Sequence, residues 1–531
     1  MFYNYYRDDS SEYNECNARG ACSIAPKISS LQEVLIIFLR QLSFYALMLD
    51  KFGEDISQIS ANIVESLSTL VSTTDYTDEQ LLGLVGKQYA FLIKTKRQYL
   101  NICKQKKISC EELKFGLDIT PQMTLAGIIS QGEKIFLNKY NKMSVQQKNM
   151  YEILLSVLKS VSLNIVKLKE NRGSDSEAEI EVLKGLDTLN SGRISLTKIK
   201  NKIKELVNID ERVLNELYEA QKLQYGKPLE TIVSHSTNAG KAILVSGGSL
   251  SELYALLKTA EKSDIDIYTH GDLLIAHTFE NFRKFPSLKG HYGSCSDKCI
   301  LDFATFPGAI LLTKNSSQNL EYLYRGRLFT TEVFKPKGVV QILNSDFTPV
   351  IESANESKGF AKGQKRESEK VGFDEEILHE KLSEIAEKFN NKDIEKLVIV
   401  GISNYSKQQE LYFKNLFAHL PDKTFVISFS YIFNYPDVLR INVVNNLALA
   451  YSILRYLFDK VPPDSKRVSF FLTKCDACSI SKIIELKENG AKNIFLSHCP
   501  PNVINPSVLS TLEKTYGIRT TTSPEADAKK I

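Results

Sequence analysis

Two groups of side chains in this chain have the type and spacing to do chemistry. The first is Cys475-x-x-Cys478, with His498-Cys499 at the end of the next apolar run. Two thiols at a strand-to-helix turn sit where a helix N-terminus lowers thiol pKa, as dithiol redox pairs do. With His498 and Cys499 they also sketch a Cys3His zinc site. A single C-x-x-C arises often by chance, so structural or inert cysteines are the simpler reading, and zinc is kept as the alternative. The pair Cys295-x3-Cys299 places two more thiols on one face of a helix. The second group lies between Ile265 and Gln318. An apolar run ends in His270-Gly271-Asp272, His277 follows, and Phe306-Pro307-Gly308 leads into a second run that stops at Asn315-Ser316-Ser317. Polar side chains delivered at the ends of two strands are what a buried site in an α/β sheet looks like. A histidine at a strand end more often packs in the core, so His270 and His277 are expected there. Gly247-Gly248 ahead of a helix has neither G-x-G-x-x-G nor Walker A company, and reads as a turn rather than a phosphate cradle.

The elements that would position these residues change character along the chain. Ser30-x-x-Glu33, Thr77-x-x-Gln80 and Ser144-x-x-Gln147 are capping boxes ahead of long helical patterns, and helices continue to about Gln224. After Tyr225-Gly226-Lys227-Pro228, short apolar runs alternate with helical patterns: Ala242–Ser246, Ile265–Thr269, Ala309–Thr313 and Val339–Leu343, then Leu397–Val400, Phe425–Phe429, Val468–Leu472 and Asn493–Leu496. Such alternation argues for parallel sheets covered by helices. The expected organisation is a cysteine segment over 1–28, an all-α helical bundle over 29–228, a first α/β domain over 229–351, a charged linker over 352–370 and a second α/β domain over 371–531. The carboxyl ends of the strands then present Gly247-Gly248, His270, Asp272, Ser316, Ser403, Ser428, Cys475, Asp476 and Cys478 to a common pocket.

Composition excludes several classes. A hydrophobic share of 43% and a charged share of 24% are ordinary for a globular protein, and 67 basic against 63 acidic residues leave a net charge of only +4. That is too mild to argue for nucleic acid or a membrane surface. No secretory signal opens the chain. The richest apolar run, Leu31 to Leu49, is interrupted by Gln32, Glu33, Arg40 and Gln41, and is expected as a buried helix. Nine cysteines in 531 residues do not make a disulfide scaffold, so a reducing, cytoplasmic setting is expected.

Several stretches resemble the hybrid-cluster protein, or hydroxylamine reductase, family: Val-Ser-Gly-Gly-Ser-Leu at 245–250, Tyr-Thr-His-Gly-Asp-Leu-Leu-Ile-Ala-His at 268–277, Phe-Pro-Gly-Ala-Ile-Leu-Leu-Thr-Lys-Asn at 306–315, Arg-Leu-Phe-Thr-Thr at 327–331, Gly-Ala-Lys-Asn-Ile at 490–494 and Pro-Ser-Val-Leu at 506–509. The Met1-Phe2 opening and Cys16-x5-Cys22 match as well. The resemblance implies a helical domain and two α/β domains around an iron–sulfur–oxygen cluster, with an iron–sulfur cubane held by four cysteines near the N-terminus. The activity it implies is reduction of hydroxylamine or nitric oxide.

Carried across one by one, the family's ligands fall on residues of another kind. Its turn histidine falls on Gly248 and its glutamate on Asp272. Its cysteines fall on Ser316, Ser403 (the persulfide position), Ser428 and Val444; its last glutamate falls on Asp476, and the lysine two residues on becomes Cys478. At the cubane two cysteines fall on Tyr3 and Tyr6, leaving Cys16 and Cys22 as a partial remnant. Iron–sulfur clusters are held by thiolates, the soft donors that hydroxyls and aliphatics cannot replace. The expectation is therefore a pseudoenzyme on a hybrid-cluster scaffold, without its iron–sulfur cofactor, acting in binding or regulation by pairing with itself or with an intact family member. An oxidoreductase with a rearranged iron–sulfur site is the alternative. The emptied pocket would be filled by side chains such as Val444 and Phe429, or by water or another ligand.

Overall fold

The computed structural model describes residues 26–71, 78–113, 119–122, 124–141, 143–190, 195–293, 299–314, 326–332, 335, 338–401, 407–429, 438–473, 476–497 and 506–531. Helices come first: α1 (Pro26–Lys51), α2 (Ser57–Ser68), α3 (Asp78–Lys106), α4 (Leu125–Asn141), α5 (Val145–Glu170), α6 (Ser176–Thr188) and α7 (Leu196–Tyr225). The apolar α1 is the axle of this bundle and packs on α3, α4 and α6. It is long and apolar enough to span a membrane, but 94% of its most apolar window is buried by protein. Arg40, midway along it, is 2% exposed. It donates to Asn190 Oδ1 (3.1 Å), the Tyr151 hydroxyl (3.3 Å) and the Leu189 carbonyl (2.5 Å), which is how a cation is tolerated there.

Two of the three capping boxes can be compared with the chain. Ser144 caps α5, with the reciprocal Gln147 contact in place. Ser30 does not cap α1: the helix begins at Pro26, whose fixed φ suits the first helical turn, so Ser30 and Glu33 lie inside the helix and are buried. The close approach of α4 explains that burial, because a Cβ on Gly132 would come 2.0 Å from the Ser30 carbonyl oxygen. Thr77 lies outside the described residues. The helical region ends as expected, at Gly226 with φ +85°.

Beyond it lie two parallel sheets. The first is built from β2 (Lys241–Ser246), β3 (Ile265–His270), β4 (Leu288–His291), β5 (Ala309–Leu312), β6 (Leu328–Thr330) and β7 (Val340–Gln341), in the order β4-β3-β2-β5-β6-β7; β1 (Thr231–Ser234) and β8 (Ser368–Val371) form a separate antiparallel pair. The second uses β9 (Lys396–Val400), β10 (Thr424–Ser428), β11 (Val438–Arg440), β12 (Val468–Leu472), β13 (Asn493–Leu496) and β14 (Arg519–Thr520), in the order β11-β10-β9-β12-β13-β14. Each sheet runs outward in both directions from its first strand, so each has a switch point, between β2 and β5 and between β9 and β12. Strands covered on both faces need continuous apolar side chains, and all of Val468–Leu472 is buried. The helices used below are α8 (Leu250–Thr259), α9 (Cys299–Thr305), α10 (Thr348–Glu356), α11 (Glu375–Asn390), α12 (Lys407–Ala418), α13 (Leu447–Phe458) and α14 (Ala477–Glu488).

The charged stretch Glu352 to Lys370 is a correction to the sequence reading. It joins the two sheets, yet it is more than a solvated linker. It contains the end of α10, bridges Phe360 to Gly240 and Gln364 to Thr237, and enters β8. Most of its side chains face water while its backbone pairs and Phe360 packs on Tyr268, Tyr292 and Phe306, which composition alone does not show. The second sheet is tied to the bundle through α14. There the buried Asp210 of α7 accepts from Ser160 (3.0 Å) and Asn164 (2.7 Å) of α5 and from Ser481 (2.7 Å) of α14.

Candidate functional site at the two switch points

At the first switch point β2 turns through Gly247 into α8. Gly247 has φ +127°, and a Cβ there would lie 2.2 Å from Thr313 Oγ1, so only glycine fits between β2 and β5. Gly248 follows, its N–H reaching the Lys314 carbonyl at 3.3 Å. Among the described residues a Cβ on Gly248 would meet nothing within 4 Å. Ser249 caps α8, and the first turn of that helix carries Glu252. The Glu252 carboxylate accepts from the Lys314 N–H (3.1 Å) and the Thr331 hydroxyl (2.9 Å). Burial, with the Glu170 carboxylate as a second cause, pushes its pKa up to about 7. Lys314 pairs with Glu170 at 3.2 Å. None of Glu170, Glu252 and Lys314 was singled out in the sequence, since their proximity depends on three separate elements.

The end of β3 carries a second polar group. His270 Nδ1 lies 2.9 Å from Ser246 Oγ, and its Nε2 lies 3.4 Å from an Asp302 carboxylate oxygen on α9. Next to it the Thr269 hydroxyl sits 2.9 Å from His277 Nε2 and 2.9 Å from His291 Nδ1. With one proton and two lone pairs, the Thr269 hydroxyl accepts from at least one of these imidazoles and gives its proton to the other or to the Gly290 carbonyl at 3.5 Å. The His235 ring stands edge-on to His291 with centroids 5.5 Å apart. Four of the chain's seven histidines thus meet beside one strand. Burial pushes His277 down to about pKa 4 and, with the neighbouring imidazoles, holds His291 well below the usual histidine range. Buried and bonded to core hydroxyls, His270 and His277 pack the wall as the sequence suggested. His235 and His291 were missed: β4, which delivers His291, is short and weakly patterned.

Past His270 the chain forms a 3-10 segment, Gly271–Thr278, and Asp272 faces the second sheet. Asp272 Oδ1 accepts from Asn445 Nδ2 at 2.6 Å, which brings Val444 beside it. Val444 has φ +53°, a left-handed backbone that a β-branched residue adopts at a cost. Ser428, last residue of β10, is fully buried. Asp476, after β12, is the N-cap of α14: its Oδ1 accepts from the Ser479 N–H (2.9 Å) and hydroxyl (3.0 Å). Cys478 is a partly buried thiol, in no disulfide, on the first turn of that helix. Gly248, Asp272, Val444, Ser428, Asp476 and Cys478 therefore all lie at or just beyond the carboxyl ends of the strands. Ser316, Ser403, Cys16, Cys22, Cys295, Cys475, His498 and Cys499 lie outside the described residues, as does the side chain of Cys299.

Two sheets of this order facing each other through their carboxyl ends, behind a helical bundle, can be compared with known proteins. The profile of the Prismane/CO dehydrogenase family matches residues 11–430. The chain belongs to that family. Its full-length relatives include proteins named hydroxylamine reductase from Rhodospirillum rubrum, 26% identical with 97% of each chain covered, and from Syntrophobacter fumaroxidans and Methanocella arvoryzae, each 25% identical with 99% of each chain covered. Among solved structures, one described as NiZn[Fe4S4] and NiNi[Fe4S4] clusters in closed and open alpha subunits of acetyl-CoA synthase/carbon monoxide dehydrogenase is 10% identical, with 93% of this chain and 82% of that one covered, at a TM-score of 0.49.

The described donor set does not suit a Prismane-type iron–sulfur cluster. Gly248 offers no side chain and Val444 no donor atom. The Asp476 carboxylate holds a helix end, and Asp272 holds Asn445. Cys478 is the one sulfur among the described pocket positions. Among the described residues no three His, Cys, Asp or Glu side chains converge as metal ligands.

Proposed function

We propose that this chain is a Prismane-family scaffold that works by binding or regulation through the cleft between its two switch points, not by the hydroxylamine reduction for which its relatives are named. The observation that carries this reading is Asp476. At a position that the resemblance assigns to a ligand, its Oδ1 caps the α14 N-terminus, where a cap is worth about 1 kcal/mol. Asp272 supports it, since its carboxylate links the two α/β regions through Asn445. Among the described residues nothing stands within 4 Å of where a Cβ on Gly248 would be, which leaves room for a ligand beside it. Val444 and Phe429 are both buried, at 6% and 1% exposure.

The test is turnover. Protein purified without oxygen is mixed with hydroxylamine and a reduced viologen dye, beside the Rhodospirillum rubrum relative under the same conditions. The expected result is dye oxidation at the protein-free rate. Oxidation at a rate comparable with the relative's would overturn the reading and restore the oxidoreductase with a rearranged site.

A further inference from the structure

The bundle contains a pair of thiols that the cleft does not use. Cys103 lies in the last turns of α3 and is 1% exposed, and Cys110 is partly buried in the segment that follows; both are free. The backbone brings them together. The helix ends at Lys107, which has φ +54°, and the Ile108 N–H returns to the Cys103 carbonyl at 3.0 Å. This closure reverses the chain beside its own helix. One turn further back the Tyr99 hydroxyl holds both backbone groups of Glu111, accepting from its N–H at 2.8 Å and donating to its carbonyl at 3.2 Å. With Ile108 tied to Cys103 and Glu111 tied to Tyr99, residue 110 is laid against the face carrying residue 103. The two thiols are close enough for Cys103 to raise the Cys110 thiol above its ordinary pKa, and Cys103 acts on Tyr99 in the same direction.

We propose that Cys103 and Cys110 form a thiol–disulfide modification site, oxidised by low-molecular-weight disulfides. Cys110, the accessible thiol, attacks as its thiolate on one sulfur of the small disulfide. That S–S bond breaks, a mixed disulfide forms at Cys110, and one small thiolate leaves and takes up the proton. The Cys103 sulfur then attacks the Cys110 sulfur, forming the Cys103–Cys110 bond and releasing the second small thiol. The balance is one small disulfide and two protein thiols in, one protein disulfide and two small thiols out. The roles are asymmetric because burial denies Cys103 a bulky reagent but not the neighbouring Cys110. Hydrogen bonding to Cys103, then burial, holds the Cys110 thiol above its ordinary pKa, so a low thiolate fraction makes the first step slow. The product would staple the end of α3 to the returning segment at Glu111, one residue on.

The full chain is equilibrated with oxidised glutathione, alkylated and mapped by peptide mass spectrometry. Wild type is expected to give a Cys103–Cys110 linked peptide. Cys103→Ser should instead trap glutathione on Cys110, because the resolving thiol is gone. Cys110→Ser should leave Cys103 unmodified. Absence of the linked peptide from wild type under fully oxidising conditions overturns the proposal, whatever the variants do. So does equal trapping of glutathione on Cys110 in wild type and Cys103→Ser, which would mean that the two sulfurs do not react with each other.

Discussion

Burial decides the protonation of the side chains around the first switch point, and it acts in opposite directions on two of them. His277 has a folded pKa of about 4 against an ordinary 6.5. Between those values the unfolded chain binds a proton that the folded chain refuses, so stability falls as pH drops through this window, by about 3 kcal/mol once it is crossed. His277→Gln should flatten the dependence of the urea midpoint on pH between about 6.5 and 4; an unchanged slope would mean that His277 is not the buried neutral group described. Glu252 is raised from 4.5 to about 7. Its folded carboxyl keeps a proton that the unfolded one has lost, so stability falls as pH rises from about 4.5 through 7. Glu252→Gln can accept the same two hydrogen bonds and should gain on wild type between pH 5 and pH 8. A wild-type-minus-variant difference that does not move with pH would rule this out. Neither effect was legible from residue identity. His277 was visible as a histidine after a strand, but its neutrality comes from Thr269, His291 and His235 closing over it, and Glu252 sat unnoticed in an ordinary helical pattern.

The elements explain why residues at ligand positions are still held in place. Asp476 ends the loop after β12 and starts α14, whose inner face carries Ser481 to Asp210 and whose buried Lys482 pairs with Glu485 at 2.5 Å. A cap at that point has value without any metal. Asp476→Ala is expected to cost about 1 kcal/mol in chemical denaturation, whereas Asp476→Asn stays within a few tenths, because either carbonyl-type oxygen can accept from the Ser479 N–H. Equal losses from both variants would mean that the carboxylate charge, not the cap, matters there. The long, continuously apolar strands were readable: Val468–Leu472 and Asn493–Leu496 fall where the pattern puts them, and β2, β3, β5, β9 and β10 within a residue or so of it. The strands not read, β1, β4, β6, β8, β11 and β14, are at most four residues long and each carries polar or charged residues, so no continuous apolar run marks them. Ser30 misled because a capping box reports local preference only, while α4 packing over Ser30 extends the helix past it.

At the scale of the whole molecule, the two sheets repeat one strand order and are joined where Asp272 bonds Asn445, with the bundle anchored to the second sheet through Asp210 and Ser481. The sequence showed that strand ends carry polar residues and in which order. It did not show that Asp272 would meet Asn445, 173 residues away, since that pairing exists only once both sheets are folded and docked. The left-handed backbone at Val444 is a cost that a β-branched residue bears at this turn beside Asn445. The central claim is that this geometry is kept without the cluster, and its most direct measurement is iron and acid-labile sulfide per chain in protein purified without oxygen. The expected result is well below one of each per folded chain, with no visible absorption from an iron–sulfur chromophore. Several irons and sulfides per chain, with that absorption, would contradict the account.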